Sequence, residues 1–273
     1  MKKILAPDPG QTIRDTINFK HSINAGDLIY SLPGIRSVCR KHGKKARIFT
    51  GFRMTGEYQD QHPLGNRLFT PEMFNVVAPL IEALDFVESF EHWNNQAEIH
   101  FNLDEIRDHC DALGMPHTEI RQWIMMYFPE LAGDISEPWI PPVKNKVGFD
   151  YIALNLTQRY RNPTINYQFL QDLPIPIPIL FLGVPEEHDL VIKQVRKAQY
   201  VPTKHYGQVA SVIGGSKLFI GNQSSCFAVA EGMGHPRLLE IDRNATNVVP
   251  ATPNGTPFVD QKALEYLVNE AIK

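Results

Sequence analysis

Hydrophobic and polar positions run along this chain in short blocks whose period switches repeatedly between two and 3.6 residues. A strand is predicted at Thr16–Lys20, followed by a polar turn from His21 to Asp27 that contains Gly26. Beyond it Leu28, Ile29, Leu32, Ile35 and Val38 recur at helical spacing as far as Lys41. Pro33 falls in the first turns of that helix, where a missing N–H is tolerated. Gly43 closes the helix, and Ala46–Thr50 reads as the next strand. From Gly51 to Pro71 periodicity lapses and Gly, Pro and Gln accumulate, which predicts a long surface loop of the kind often used for function. A helix Glu72–Leu84, strands Phe86–Phe90 and Glu98–Leu103, a helix capped by Asp104 and running to about Leu113, and a helix Thr118–Phe128 complete the first half.

Pro129, Gly133, Pro138, Pro141 and Pro142 then cluster and mark the best domain boundary. The second half alternates more cleanly. Strands are predicted at Tyr151–Leu156, Ile177–Leu182, Lys217–Ile220 and Arg237–Ile241. Helices are predicted at Ile165–Leu173, Pro185–Ala198, Thr203–Ile213 and Ser224–Met233, and a last helix at Gln261–Ile272 follows a Pro- and Gly-rich connector. Alternating strands and helices with short connections imply a parallel sheet covered on both faces, hence an α/β protein. The expected units are 1–143, 144–257 and a terminal helix at 258–273.

Composition narrows the class. The 273 residues are 43% hydrophobic and 21% charged, enough to bury a core. No stretch approaches the 18 or so apolar residues of a membrane span. Pro7, Asp8 and Pro9 interrupt the opening apolar run before it can form a signal sequence. Cys39, Cys110 and Cys226 are odd in number and far apart, so no disulfide framework is expected, and four N-x-[ST] sequons read as chance matches. A cytoplasmic globular protein is the expectation.

In parallel sheets, ligands bind where strands give way to helices. Two such turns carry candidate chemistry. In the first, His21, Asn24 and Gly26 lead to Asp27 at the mouth of a helix, where the helix dipole favours a carboxylate and keeps it available as a base. The same residue serves equally as a helix cap. In the second, Gly221-Asn222-Gln223-Ser224-Ser225 joins a buried strand to a helix whose free N–H groups suit a phosphate, though Ser224 could simply be a cap.

The run Gly26-Asp27-Leu28-Ile29-Tyr30-Ser31-Leu32-Pro33-Gly34-Ile35-Arg36 resembles the "GDvi.slPalr" signature of the ADP-heptose:lipopolysaccharide heptosyltransferase family. Leu218–Ser225, with Ala228–Pro236 behind it, is similar to that family's "lvIGNDSGpmHlAaAlGkP", and Ile179–Glu187 to its "vvllGgpaE". The resemblance implies a GT-B fold, with two Rossmann-like domains facing across a cleft and a final helix that often crosses back. It implies Asp27 as general base of an inverting, metal-independent transfer, with His21, Asn24 and Gly26 on the acceptor side. On the donor side it implies Thr157, Arg159, Arg161, Gly183, Asn222, Gln223, Ser224 and Ser225, the arginines suiting a diphosphate leaving group. The chain departs from the family where Gln223 replaces Asp and Ala228 replaces His. Glu231 invites comparison with a ribose-binding Glu of other GT-B enzymes, at a different spacing from Pro236. The implied function is transfer of a sugar from a nucleotide-diphosphate donor to an acceptor hydroxyl. A non-catalytic nucleotide- or glycan-binding protein and a sugar-nucleotide epimerase stay open as alternatives.

Two further patterns bear on partners. Arg36, Arg40, Lys41, Lys44, Lys45, Arg47 and Arg53 fall in a stretch without Asp or Glu. That stretch is either a solvated face or a field for an anionic acceptor, a phosphorylated glycan or nucleic acid. Ten histidines show no compact ligand spacing, so no metal or other cofactor is expected beyond the nucleotide-sugar substrate. No G-x-S-x-G elbow or G-x-G-x-x-G turn supports a hydrolase or a nicotinamide enzyme.

Overall fold

The computed structural model describes residues 16–52, 69–106, 119–143, 148–245 and 247–273. Two all-parallel sheets organise them. The first contains β1 (Thr16–Lys20), β2 (Lys45–Thr50), β3 (Val87–His92) and β4 (Phe101–Asn102) in the order β3-β2-β1-β4. The second contains β5 (Ile152–Asn155), β6 (Ile179–Phe181), β7 (Ala198–Tyr200), β8 (Leu218–Gly221), β9 (Arg237–Glu240) and β10 (Gly255–Phe258) in the order β10-β9-β8-β5-β6-β7. The described helices are α1 (Ala25–His42), α2 (Pro71–Ile81), α3 (Ile120–Tyr127), α4 (Pro185–Val191), α5 (Tyr206–Gly215), α6 (Ser225–Gly232) and α7 (Gln261–Ile272).

The period-two pattern of the second sheet divides its strands between two cores. Ala153, Phe219 and Leu239 face one core, and their neighbours Ile152, Leu154, Leu218, Ile220 and Leu238 face the other. The first of these cores also contains Phe19, Ile48, the buried face of α1, and Phe227–Ala230 of α6, so one apolar interior joins the two sheets. The other holds Tyr167, Leu170, Val191 and Val195, and α7 covers it with Leu264, Val268 and Ile272. The buried face of α7 thus packs on the second sheet, where a helix crossing back was expected.

Several expected elements differ in extent. The predicted helix Pro185–Ala198 ends at Val191, and the chain turns into the strand β7. Val191, Val195 and Ala198 keep a helix-like spacing because all three reach the same core across that turn. The connector after β9 carries β10, whose Pro257 lacks an N–H and stands at the sheet's edge, as Pro requires. Expected Glu98–Leu103 shrinks to β4, and Ile165–Leu173 to a 3₁₀ turn at Gln168–Asp172. The loop expected at Gly51–Pro71 and the helix expected at Asp104–Leu113 lie largely outside the described residues, as does Cys110. Among the described residues no helix is long and apolar enough to cross a membrane.

Candidate active site

The carboxyl end of the first sheet presents the turn 21–24. Asn24 caps α1 in extended conformation; its Oδ1 accepts from Asp27 N and its Nδ2 donates to Asp27 Oδ2, both at 3.1 Å. This reciprocal pair fixes the Asp27 carboxylate in the first helical turn, half-buried and beside the positive end of the helix. His21 is buried just beneath, its Nδ1 3.5 Å from Ile23 N. Asp104, after β4, holds the turn from below: its oxygens accept from Ser22 N and from Lys20 Nζ, each at 2.5 Å. Burial pushes the Asp104 carboxyl up, but the nearby His21, Lys20 and Ser22 N–H outweigh it and hold it below the usual range. Ser22 Oγ accepts from Gly51 N at 2.7 Å, so the ends of β1, β2 and β4 are tied together.

On the second sheet the predicted donor residues divide into two sets. Asn222 is fully buried and staples the loop after β5. Its Oδ1 accepts from Thr157 N at 3.0 Å, and its Nδ2 donates to the carbonyls of Thr157 and Arg159 at 3.0 and 2.6 Å. This holds Tyr160 in the left-handed region, at φ 54°, with Arg159 over its ring at 5.2 Å. Gln223 turns to the loop behind it, donating to Ala245 O and accepting from Asn247 N. Arg161, expected to face a donor, binds the buried Glu240 through its Nε, 3.0 and 3.2 Å from the two oxygens. Glu240 also takes the Tyr167 hydroxyl at 2.6 Å. Asn222 and Gln223, both buried, therefore shape the turn from within.

Ser224 and Ser225 stand at the start of α6. Ser224 Oγ caps the helix by accepting from Phe227 N at 3.1 Å, and donates to Asn155 Oδ1 at 2.6 Å. Ser225 Oγ accepts from the Tyr206 hydroxyl. With these side chains engaged and Phe227 N taken by the cap, the feature left for an anion is the pair of amides of Ser225 and Cys226, which have no acceptors within their own helix. Asn155 was not singled out by sequence reasoning, although it is the one polar residue closing an apolar strand. Its Nδ2 donates to Leu182 O at 2.7 Å, so it knits the ends of β5 and β6 to the α6 cap. Gly183, at φ 147°, lets the chain turn after β6, where a Cβ would lie 2.8 Å from Glu187 Oε2.

The two turns meet. A Cβ on Gly26 would lie 3.9 Å from Ser225 Cα, so the first turn of α1, bearing Asp27, abuts the first turn of α6. Below that junction, Glu231 is fully buried and its carboxylate is fully engaged. It accepts from Arg121 Nη1 at 2.9 Å, from Arg237 Nε at 2.7 Å, and from the amides of Ala251 and Thr252 at 2.8 and 3.0 Å. That position leaves it no role in holding a ribose. Part of the basic stretch is paired. Arg36 is buried and donates to the carbonyls of Glu137 and Pro138, Arg40 pairs with Glu137, and Arg47 pairs with Glu91. Arg53 lies outside the described residues.

The chain matches no family model and no curated relative. Among solved structures it resembles the glycosyl transferase family 9 protein from Veillonella parvula DSM 2008, with TM-score 0.50 and 13% identity over 94% of this chain and 88% of that one. It also resembles E. coli ADP-heptose LPS heptosyltransferase II, with TM-score 0.56 and 10% identity over 94% of this chain and 98% of that one. At such identities the likeness is one of fold. The protein has the GT-B fold of these glycosyltransferases.

Proposed function

We propose that this chain is a glycosyltransferase that moves a sugar from a nucleotide-diphosphate donor to an acceptor hydroxyl, with inversion and without a metal ion. The carrying observation is the abutment of the Asp27 turn and the α6 N-terminus at Gly26 and Ser225. In this reading Asp27 takes the proton of the acceptor hydroxyl as its oxygen attacks the anomeric carbon. The bond from that carbon to the diphosphate breaks on the opposite face, which inverts the centre. The departing negative charge is met by the amides of α6 and by Arg159. Asn155, Asn222 and Asp104 hold the turns that place these groups. Arg36, Arg40 and Arg47 of the basic stretch are engaged within the fold, and the proposal is for a hydroxyl-bearing acceptor without assigned charge.

Thermal-shift screening against ADP-glucose, UDP-glucose and GDP-mannose tests the donor half, because a ligand bound only by the native state raises its melting temperature. Asp27→Asn tests the chemistry: it should keep the fold and the donor-induced shift while lowering transfer by about 10²- to 10⁴-fold, the usual size of a general-base contribution. Normal turnover by that variant would remove Asp27 from the mechanism. A nucleotide shift in a wild-type protein that turns over no donor would favour the binding-only alternative.

A further inference from the structure

Glu187 sits where three turns converge, after β5, after β6 and before α6. It is 3% exposed. Its Oε2 accepts from Val184 N at a long 3.3 Å, and its Oε1 finds no hydrogen-bond donor among the described residues. The charged and titratable groups that interact with it electrostatically are Arg159 from the loop after β5, Cys226 from the first turn of α6, and Glu186 beside it on α4. Cys226 is buried, and its thiol is pushed up to about 12 by burial and by Glu187, so it stays neutral. A carboxylate placed here would draw on the positive groups that the proposed donor site offers a diphosphate, namely Arg159 and the α6 amides.

We propose that Glu187 is an internal competitor for the donor's diphosphate, so that the site accepts a nucleotide-sugar when this carboxyl is protonated and resists it when ionised. The inference rests on the donor site proposed above and adds its control by pH. Geometry supplies the reason: an ionised Glu187 would add a buried negative charge, lacking adequate donors, beside the anion's place. Burial, only partly offset by Val184 N–H and Arg159 and reinforced by Glu186, pushes its carboxyl up to about 7, so the change falls near neutrality. Binding then draws one proton from solvent onto Glu187 at higher pH, and no other bond changes.

The test uses whichever of ADP-glucose, UDP-glucose and GDP-mannose stabilises the protein, since a diphosphate diester does not itself titrate between pH 6 and 8. For wild type the dissociation constant should weaken about tenfold from pH 6 to pH 8, as binding restricted to the protonated form requires. Calorimetry in two buffers of different ionisation enthalpy should show proton uptake at pH 7.5. Glu187→Gln should bind with a constant that is flat over this range, near the wild-type value at pH 6, and with no proton uptake. A flat wild-type profile overturns the inference and leaves the donor site standing, as does a slope that survives in Glu187→Gln. Absence of binding by all three nucleotide-sugars at pH 6 removes the donor site and the inference together. Proton uptake by wild type alone decides the question should the variant not fold.

Discussion

At the scale of the residue, Glu187 makes folding itself sensitive to pH. Its carboxyl titrates near 4.5 in a solvated chain and at about 7 in the folded one. The unfolded chain therefore releases this proton first, and the folded state loses relative stability as pH rises through that window. Above pH 7 the cost is about 3 kcal/mol, from roughly 1.4 kcal/mol per pKa unit. Glu187→Gln should thus be the more stable protein in urea at pH 8, by about that amount, with the gap closing as pH falls toward 4.5. An equal gap at both ends would refute a buried neutral acid. The start of α1 was legible in the sequence because a short polar turn before an apolar helix announces a cap, although the cap is Asn24 and Asp27 stands in the first turn beyond it. The state of Glu187 was not, since it depends on which donors the folded chain withholds. Asn155 was hidden for a related reason: its two partners, Leu182 and Ser224, are 27 and 69 residues away.

Among the elements, α6 depends most visibly on its cap. It is eight residues long, and Ser224 both closes its first turn and ties it to β5. Ser224→Ala should cost about 1 kcal/mol, typical of a lost N-cap, and should weaken nucleotide-sugar binding measured by calorimetry. A stability loss with unchanged affinity would place the donor away from α6. Long elements with one dominant period were readable from sequence, and α7 was predicted with its observed bounds. The short strands β7 and β10 were not. Three or four residues give too little alternation to separate a strand from a turn, and Pro257 argued against one. The ion pairs of Arg161, Arg40 and Arg47 were hidden for another reason: a cation's sequence neighbours do not reveal its partner, and Glu240, Glu137 and Glu91 all come from elsewhere in the chain.

For the whole molecule, the shared apolar core and the Glu231 cluster join the two halves across the Pro-rich stretch. Arg121 belongs to the first half of the chain and Glu231 and Arg237 to the second, and all three are essentially excluded from water. Glu231→Ala would leave the Arg237 guanidinium buried without a carboxylate and Arg121 with Glu119 as its remaining partner, which typically costs 3–5 kcal/mol, about a third to a half of an average domain's stability. Wild type should unfold in one calorimetric transition. Two separate transitions would show that the halves hold together independently of this cluster.

The same junction bears on how the gene can be cut. Arg36 of α1 grips the carbonyls of Glu137 and Pro138, and Trp139 and Ile140 donate their amides to Gly232 O at the end of α6. The Pro-rich stretch, which looks in the sequence like a place to separate two modules, is stitched to both sides of the molecule. Fragments expressed from either side of it would each expose an apolar face belonging to the other. They should be insoluble alone and recoverable only when produced together.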